Sequence, residues 1–260
     1  MNIVKKYCLR TIAIAILFVF GLCLSPLPTL AAESAPQWGY EGDLNPDAWG
    51  KISRDFATCD VGKNQSPIDI TGAVTGQPVQ IAFNYQSSPL AVVNNGHSIQ
   101  VNYNPGSTIS IDGEEYQLLQ FHFHTPSEHK IAGKAAAMEA HFVHRNAAGK
   151  LAVVGVMMNE GRENPLISKI WKAIPPIGQT KAIDNITIDA AHLLPNSKSY
   201  YSYTGSLTTP PCSEGVNWAV LTTPITISSS QLQEFKKLYP IDARPIHSTN
   251  ARKIELHGSV

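Results

Sequence analysis

The chain has 260 residues, and its 20 lysines and arginines balance 20 aspartates and glutamates, so the formal net charge is zero. Hydrophobic residues make up 43% and charged residues only 15% of the chain, which is enough apolar material for one sizeable core. There is no basic face or acidic tail, so nucleic-acid binding is not predicted and small-molecule chemistry is the better expectation.

The N-terminus has the pattern of an export signal. Two lysines and an arginine precede the apolar run 11–24, and small residues end at Ala32. The run is too short for a comfortable membrane span. We therefore expect a signal peptide over residues 1–32, cleaved after Ala32, and a mature domain over residues 33–260. An uncleaved membrane anchor is the alternative. The mature protein is expected in the periplasm, or else in an extracellular or other lumenal space, without stable membrane insertion.

Two cysteines, Cys59 and Cys212, would remain after cleavage. In an exported protein an even pair suggests a disulfide. It would close a loop of about 150 residues, for which the chain-entropy model gives on the order of 5 kcal/mol. Two unrelated buried thiols are the alternative, and two thiols alone do not indicate a structural zinc site.

Most predicted elements beyond the leader are β-strands. Half-buried strands are predicted where apolar and polar residues alternate, and fully buried strands where the apolar run is continuous. Asp112-Gly113 indicates a hairpin turn. The predicted strands cover residues 81–85, 99–103, 108–111, 118–124, 138–144, 151–158 and 216–221.

Helix signals are few. Asn164 followed by Pro165 predicts a helix with an N-cap and proline at its first position. Ser230 and Gln233 form a capping-box pattern at the start of a second helix over 230–239. Many strands with two or three short helices predict a β-dominated fold around one large sheet.

Histidines on two of the predicted strands give the clearest functional signal. Because side chains alternate along a strand, Gln120, His122 and His124 share one face. Glu139 and His141 share one face of the second strand. A lone His-x-His is weak, because a satisfied core histidine is commoner. Three imidazoles with a fourth position open are nevertheless the arrangement of catalytic zinc, although imidazole also suits cobalt and iron.

Each of these strands also carries a candidate support for its ligand. A metal-bound imidazole usually donates its other ring N–H to an oxygen acceptor. Gln120 lies beside His122, and Glu139 lies beside His141, so both are expected to accept such a bond. His124 would need a backbone carbonyl, which the sequence does not identify.

Together with other motifs, these strands resemble the α-class carbonic anhydrases, in the bacterial, exported form. The resemblance extends over nearly the whole predicted mature chain, from Gln37 to Pro245. It implies a mainly β (minor α+β) single domain built around a large, mostly antiparallel twisted central sheet with a few short peripheral helices. The segments that carry it are 37–40, 64–68, 94–97, 120–124, 127–129, 139–144, 205–211 and 244–245.

The resemblance implies the reversible hydration of carbon dioxide to bicarbonate and a proton, by attack of zinc-bound hydroxide. Hydrolysis of activated esters would be a side activity. Thr208 matches the threonine that accepts a hydrogen bond from the hydroxide, and Glu128 matches the carboxylate that orients it. His97 matches the proton shuttle, a role that its titration range suits, although a polar residue after an Asn-Gly turn is the simpler reading.

The remaining site assignments also follow from the resemblance. The Zn²⁺ ligands are expected to be His122, His124 and His141. The expected apolar substrate pocket comprises Val143, Val153, Leu207, Val216 and Trp218, with Thr209 as a second active-site threonine. Tyr40, Asn95 and Gln100 are expected to order cavity waters.

The other histidines receive structural interpretations. His129 and His144 match structural histidines of the family, and His144 has the opposite strand parity to the third ligand, so it is expected to point away from the metal. His192, His247 and His257 have no motif around them and are predicted to lie on the surface.

Two further details follow from the resemblance. The bonds Ser66-Pro67 and Pro210-Pro211 match peptide bonds that are cis in the family. Asp242 stands where the family usually has asparagine. A carboxylate there is expected to change local hydrogen bonding without touching the zinc ligands.

Three other functions compete with this interpretation. A catalytically silent, carbonic-anhydrase-like binding protein would be expected to lack a zinc histidine, and this chain has all three. A zinc hydrolase of peptides or esters is the second, and the sequence lacks the His-Glu-x-x-His helix that a zincin protease would need. A disulfide-stapled structural domain is the third. The sequence leaves open whether the chain is a monomer or a homodimer.

Overall fold

The computed structural model describes residues 37–258. The predicted signal peptide and its cleavage after Ala32 lie outside the described residues. Between residues 37 and 258, no helix is long and apolar enough to cross a membrane.

The described chain is built mainly from short and medium-length strands. All seven predicted strands are present, although β7 begins at Glu114 rather than at residue 118. The strands are β1 (Asp69–Ile70), β2 (Val74–Thr75), β3 (Ile81–Asn84), β4 (Ser88–Asn94), β5 (Ile99–Asn102), β6 (Thr108–Ile111), β7 (Glu114–His124), β8 (Lys130–Ile131), β9 (Met138–Arg145), β10 (Leu151–Glu160), β11 (Gln179–Ile188), β12 (Tyr200–Ser206), β13 (Glu214–Leu221), β14 (Ile225–Ile227) and β15 (Glu255–His257).

One large mixed sheet dominates the architecture. Within residues 37–258 it contains 13 strands, whose main path runs β11-β4-β5-β7-β9-β10-β13-β12-β15-β2. Most pairs are antiparallel, whereas β10 runs parallel to β13 and β14, and β15 runs parallel to β2. The predicted fold class, a mainly β domain around a large and mostly antiparallel sheet, is confirmed.

The predicted hairpin turn joins β6 to β7. Asp112 (φ 50°) and Gly113 (φ 77°) both have positive φ. Type I′ turns need positive φ at both central residues, which asparagine, aspartate and glycine adopt most readily. The turn sets the β6–β7 register, in which Ile111 lies opposite Glu114.

The helices are short and lie around the sheet. They are α1 (Trp49–Ile52), α2 (Thr58–Val61), α3 (Pro165–Trp171) and α4 (Ser229–Lys236), with 3-10 turns at Gly42–Leu44, Arg54–Phe56 and Ala190–Leu193.

The helix caps were predicted with unequal success. The prediction for α3 is confirmed, because the Asn164 side chain accepts bonds from the N–H groups of Leu166 and Ile167. The predicted cap of α4 was wrong by two residues. The capping box is formed by Ser228 and Gln231, and Ser228 has the extended backbone that an N-cap requires.

The two faces of the sheet bury different clusters. The larger cluster contains Phe121, Phe123 and Phe142 and is covered by α3 and α4. A smaller cluster on the other face includes Val143 and Trp218. Because neighbouring residues of a strand point to opposite faces, Phe142 and Val143 belong to different clusters.

A third cluster surrounds the disulfide. Cys59 and Cys212 are joined, with an S–S distance of 2.06 Å. Both are buried, and they pack with Trp49 and Phe56. The predicted disulfide is therefore present, and it ties α2 to the segment that follows β12.

Candidate metal centre

The register between β7 and β9 brings the three predicted ligands together. His122 lies directly opposite His141, and His124 lies opposite Glu139. The ring centroids of the three histidines are between 4.6 and 5.4 Å apart. One ring nitrogen from each histidine lies within 4.8 Å of the others. The arrangement therefore offers three nitrogen donors to one cation.

The hydrogen-bond partners of two rings determine which nitrogen is free. His122 Nδ1 lies 2.8 Å from Gln120 Oε1, and His124 Nδ1 lies 2.7 Å from the backbone oxygen of Asp242. Both partners are acceptors, so Nδ1 carries the proton and Nε2 keeps its lone pair in each neutral ring. Gln120 thus lies where the strand pattern placed it, and the carbonyl needed by His124 comes from residue 242.

The third ring has the opposite orientation. His141 Nε2 lies 3.0 Å from Glu139 Oε1, which leaves Nδ1 as the ring nitrogen available to a metal ion. Glu139 is fully buried and also accepts bonds from the Nδ1 (2.8 Å) and the backbone N–H (2.9 Å) of His129. His129 Nε2 in turn lies 2.7 Å from the Tyr203 hydroxyl. Glu139 is therefore held by several donors while it faces His141.

Burial keeps these rings neutral at pH 7. Burial lowers the pKa of His124 to about 4, and it lowers the pKa values of His122 and His141 as well. Neutral imidazole is the form that coordinates metal. His124 Nε2 is buried without a hydrogen-bond partner among residues 37–258. A buried polar atom without a partner is costly, and a coordinated zinc ion would supply the partner, so the residues present fit zinc.

Glu128 and Thr208 lie beside the three histidines. Glu128 is buried, and its Oε2 lies 3.6 Å from His124 Nε2 and 3.7 Å from His141 Nδ1. The Thr208 hydroxyl is within hydrogen-bond reach of the carboxylate, and Glu128 Oε1 accepts a bond from the Arg244 backbone N–H (2.8 Å). Burial raises the pKa of Glu128 to about 7. A cation at the three nitrogens would favour the ionised carboxylate.

The predicted apolar pocket residues form one wall next to the histidines. Val143 pairs with Val153 across β9 and β10, and Val153 pairs with Trp218 across β10 and β13. Leu207 and Val216 pack in the same cluster. The Trp218 ring meets the His141 ring edge-on, with 4.8 Å between centroids. Thr209 is partly buried and directly follows Thr208.

His97 is half-buried and packs against an aromatic side chain. Its ring stacks on Trp38, with 3.6 Å between centroids and 8° between planes. Asn95 Oδ1 accepts bonds from the backbone N–H groups of His97 and Ser98, both at 2.8 Å, so Asn95 shapes the turn that carries His97. Burial lowers the pKa of His97. Trp38 was not singled out from the sequence, although it lies in the segment 37–40.

Tyr40 and Gln100 lie on different sides of the candidate metal centre. The Tyr40 hydroxyl is buried without a hydrogen-bond partner in the described part of the chain. Burial, then the charges of Glu128 and Asp242, hold the pKa of Tyr40 well above its usual value. Gln100 lies opposite His122 in the β5–β7 register and donates to Asn102 Oδ1 (2.6 Å). Tyr40 thus belongs to the Glu128 side of the site and Gln100 to the His122 side.

The segment around Asp242 has a larger role than the sequence predicted. Its backbone oxygen holds His124, and its carboxylate Oδ1 accepts a bond from the Thr125 backbone N–H (2.6 Å). The Asp242 carboxylate thus takes part in local hydrogen bonding, whereas the contact with the ligand His124 is made by the backbone oxygen of the same residue. The contact uses the main chain, so the residue type at 242 gave no sign of it.

Arg244 anchors the same segment. Its guanidinium donates to Gln65 Oε1 (2.9 Å) and to the backbone oxygens of Ser66 (2.8 Å) and Cys59 (2.9 Å). Arg244 is buried and lies over the Trp49 ring. The residue that holds Glu128 through its N–H is thus tied to the disulfide region, a role that the sequence analysis missed.

Of the predictions for cis peptide bonds and for the remaining histidines, one cis bond was missed and one histidine was placed wrongly. Ser66–Pro67 and Pro210–Pro211 are cis as expected, and Thr125–Pro126 is a third cis bond that was not expected. His144 is buried on the opposite face from the metal centre, and its Nε2 lies 2.8 Å from the Tyr85 hydroxyl. His257 was predicted at the surface, which was wrong, because it is buried between β12 and residues 76–77.

Comparisons with known proteins agree with this geometry. A family model described as eukaryotic-type carbonic anhydrase matches residues 44–258. The chain is 46% identical over 239 residues to a carbonic anhydrase of Pectobacterium carotovorum, covering 90% of this chain and 96% of that relative. It is 42% identical over 244 residues to a carbonic anhydrase of Nostoc sp., covering 91% and 92%.

A solved structure is also similar. It is an α-carbonic anhydrase of Thermovibrio ammonificans in complex with the inhibitor sulfanilamide. It shares 43% identity and a TM-score of 0.82, over 85% of this chain and all of that one.

Proposed function

The chain belongs to the family of eukaryotic-type, α-class carbonic anhydrases, and we propose that it hydrates carbon dioxide reversibly at the centre formed by His122, His124 and His141. The observation that carries this proposal is the convergence of three ring nitrogens within 4.8 Å, beside the Thr208–Glu128 pair. Zinc bound by three histidines lowers the pKa of a coordinated water to about 7, the established value for carbonic anhydrases, and so supplies a nucleophile at neutral pH.

Thr208 and Glu128 would aim the nucleophile. A hydroxyl group has only one proton to donate, so a Thr208 that donates to Glu128 can only accept from the attacking oxygen. Glu128 is held in turn by the Arg244 backbone N–H. The attacking oxygen is thereby turned with a lone pair toward the substrate, which supplies orientation before the reaction starts.

The apolar wall would hold the uncharged gas. Val143, Val153, Val216 and Trp218 are each less than 9% exposed, and they offer no hydrogen-bonding side chain apart from the Trp218 indole. That indole is occupied, because its N–H donates to the Ser206 backbone oxygen (2.9 Å). Contact with such a surface costs uncharged, apolar carbon dioxide less free energy than it costs water, and it disfavours bicarbonate, which is charged.

His97 would take the proton away between turnovers. Its ring is half-buried and stacks on Trp38, and in the described part of the chain no side-chain hydrogen bond fixes its orientation. A histidine at the rim can accept a proton from cavity waters and release it to buffer. Tyr40, Asn95 and Gln100 would order those waters.

We also propose export. The signal peptide over residues 1–32 and the domain over 33–260 are supported by the sequence pattern, and the disulfide fits an oxidising compartment. N-terminal sequencing of the protein recovered outside the cytoplasm should begin at residue 33. An intact N-terminus on membrane-bound protein would contradict the cleavage.

Stopped-flow hydration of carbon dioxide with parallel metal analysis tests the main proposal. Zinc-loaded protein should be active, and removal of zinc should abolish activity. His97→Ala should lower turnover in weak buffer on the order of tenfold to a hundredfold, and added imidazole should restore it. His192→Ala is the matched control, because His192 is exposed elsewhere. Full activity without metal would overturn the proposal, and failure of imidazole rescue would overturn the shuttle alone.

A further inference from the structure

A cavity of about 440 Å³ lies beside β12 and β15, and its lining also includes Tyr203 and Trp218. Tyr203 of β12 contacts His129 and packs with the apolar wall of the metal centre. Tyr200 and Ser202 have the opposite parity along that strand, so they point to the other face of the sheet. Both line the cavity, together with His257 of β15. The volume is within the range of small-molecule sites.

Ser202 and His257 form a hydrogen-bonded pair in this cavity. Ser202 Oγ lies 2.8 Å from His257 Nε2, and His257 Nδ1 lies 2.7 Å from the backbone oxygen of Gln77. A backbone carbonyl only accepts, so Nδ1 carries the proton of the neutral ring. Nε2 must then accept, and within residues 37–258 the Ser202 hydroxyl is the group that donates to it. The tautomer is therefore the one in which histidine acts as a base toward serine.

The imidazole ring is held on several sides. It stacks on Tyr200, its cross-strand neighbour, with 4.6 Å between centroids and 16° between planes. Gly76 closes against it, because a Cβ on that glycine would lie only 2.6 Å from the His257 Cε1 atom. A larger residue would push away the chain that delivers the Gln77 carbonyl. The base is thus oriented by a third group and by packing, as a catalytic base must be.

Asn217 offers a hydrogen-bond donor on the face of the sheet that carries Ser202. It lies opposite Thr204 in the β12–β13 register and lines the cavity. Its Nδ2 donates to the Tyr116 hydroxyl (3.2 Å), which leaves a second amide proton. Such a donor can support an oxyanion. Arg252 also lines the cavity, but its guanidinium lies over the Tyr203 ring, which belongs to the other face.

From this geometry we infer that Ser202 and His257 form a second, metal-independent hydrolytic site for small carboxylic esters. Ser202 Oγ attacks the ester carbonyl carbon, and His257 Nε2 takes the hydroxyl proton. The carbon–oxygen bond to the alcohol breaks, and the alcohol leaves with that proton. Water then attacks the acyl-serine and gives one proton to His257. The bond between the acyl carbon and Ser202 Oγ breaks, the carboxylic acid leaves, and Ser202 Oγ recovers the proton from His257. No metal, oxidant or reductant takes part.

A fluorophosphonate probe tests the nucleophile directly in the full-length, zinc-loaded protein. The Ser202 oxygen would displace fluoride from phosphorus, and His257 would take the proton. Peptide mass spectrometry should locate the adduct at Ser202. His257→Gln should slow labelling on the order of a hundredfold, whereas Thr223→Val, at an exposed threonine outside this cavity, should not change it. Absence of an adduct at Ser202, or labelling that is independent of His257, would overturn the inference.

Ester hydrolysis gives a second readout that separates the two sites. The metal centre of the wild-type protein is blocked with sulfanilamide, and hydrolysis of p-nitrophenyl acetate is measured. A resistant component should remain and should fall about tenfold or more in Ser202→Ala. Circular dichroism and thermal unfolding test whether Ser202→Ala is folded. If it is not folded, the fluorophosphonate adduct at Ser202 of the wild-type protein remains the test of the nucleophile. A resistant component that is unchanged in Ser202→Ala would show that the serine–histidine pair only holds the strands together.

Discussion

The two faces of the β7–β9 ladder are built from the same two strands, yet one face is polar and the other is apolar. One face carries His122, His124 and His141 beside polar partners. The other carries Phe121 and Phe142, with phenylalanine packed on phenylalanine across the strands. A single backbone scaffold thus supports a polar centre on one side and a dry core on the other, because side chains alternate between faces.

His141 and His144 show that burial alone does not make a ligand. Both are buried, and burial lowers the pKa of each. His144 has a partner for both ring nitrogens, the Tyr85 hydroxyl at 2.8 Å and the Ala152 backbone oxygen at 3.3 Å. His141 has Glu139 on one side only, which leaves its other nitrogen available to a metal ion. The nitrogen that remains available is what distinguishes the two environments.

The largest effect is expected on the face that carries the three histidines, when Thr208 is replaced and the histidines are kept. Thr208→Val should lower kcat/KM for hydration on the order of a hundredfold to a thousandfold, because the attacking oxygen loses its acceptor. Stopped-flow kinetics with metal analysis should show zinc retained. Thr223→Val, at an exposed threonine, is the control. Activity within about twofold of wild type would mean that Thr208 does not orient the nucleophile.

A smaller effect is expected when one ligand loses its support. Gln120→Ala removes the acceptor of the His122 Nδ1 proton, which should weaken zinc affinity roughly tenfold to a hundredfold. Competition with a chelator measures this affinity. Gln117→Ala on the same strand provides the comparison, and equal affinities in the two variants would contradict the supporting role of Gln120.

The smallest effect concerns the dry face and appears as a pH dependence. The folded pKa of His144 is lowered by burial to about 3, below the unfolded value of about 6.5. The unfolded chain therefore binds a proton between these values while the folded protein does not, so stability is lost as pH falls from 6.5 toward 3.

Urea unfolding of wild type and His144→Gln at pH 7.5 and pH 5 measures that contribution. The wild type should lose about 2 kcal/mol more of its unfolding free energy than the variant over this interval. Identical losses in the two proteins would show that His144 is already protonated or exposed in the folded state.

The sequence predicted most of what depends on side-chain identity and strand parity. It grouped the three histidines, placed Gln120 and Glu139 beside them and directed His144 to the other face. These features follow from the alternation of a strand, which is a local property. The hairpin turn at Asp112-Gly113 and the cap at Asn164 are also local and were predicted correctly.

What the sequence missed depends on contacts between distant segments or on the main chain. The carbonyl of Asp242 that holds His124 belongs to the backbone, so any residue type could supply it. Arg244 reaches Cys59 and Ser66 across more than 170 positions. His257 gave no motif because its partners, Ser202 and Gln77, lie far away along the chain.

Zinc stoichiometry in two single variants tests most directly whether His141, and not His144, is a zinc ligand. We expect wild type and His144→Gln to bind one zinc per chain, because His144 lies on the face away from the metal centre. His141→Ala should lose tightly bound zinc, because it removes one of three converging nitrogens. Atomic emission analysis after dialysis against a chelator gives the result. Zinc retained by His141→Ala, or lost from His144→Gln while that variant remains folded, would contradict the assignment of the two faces.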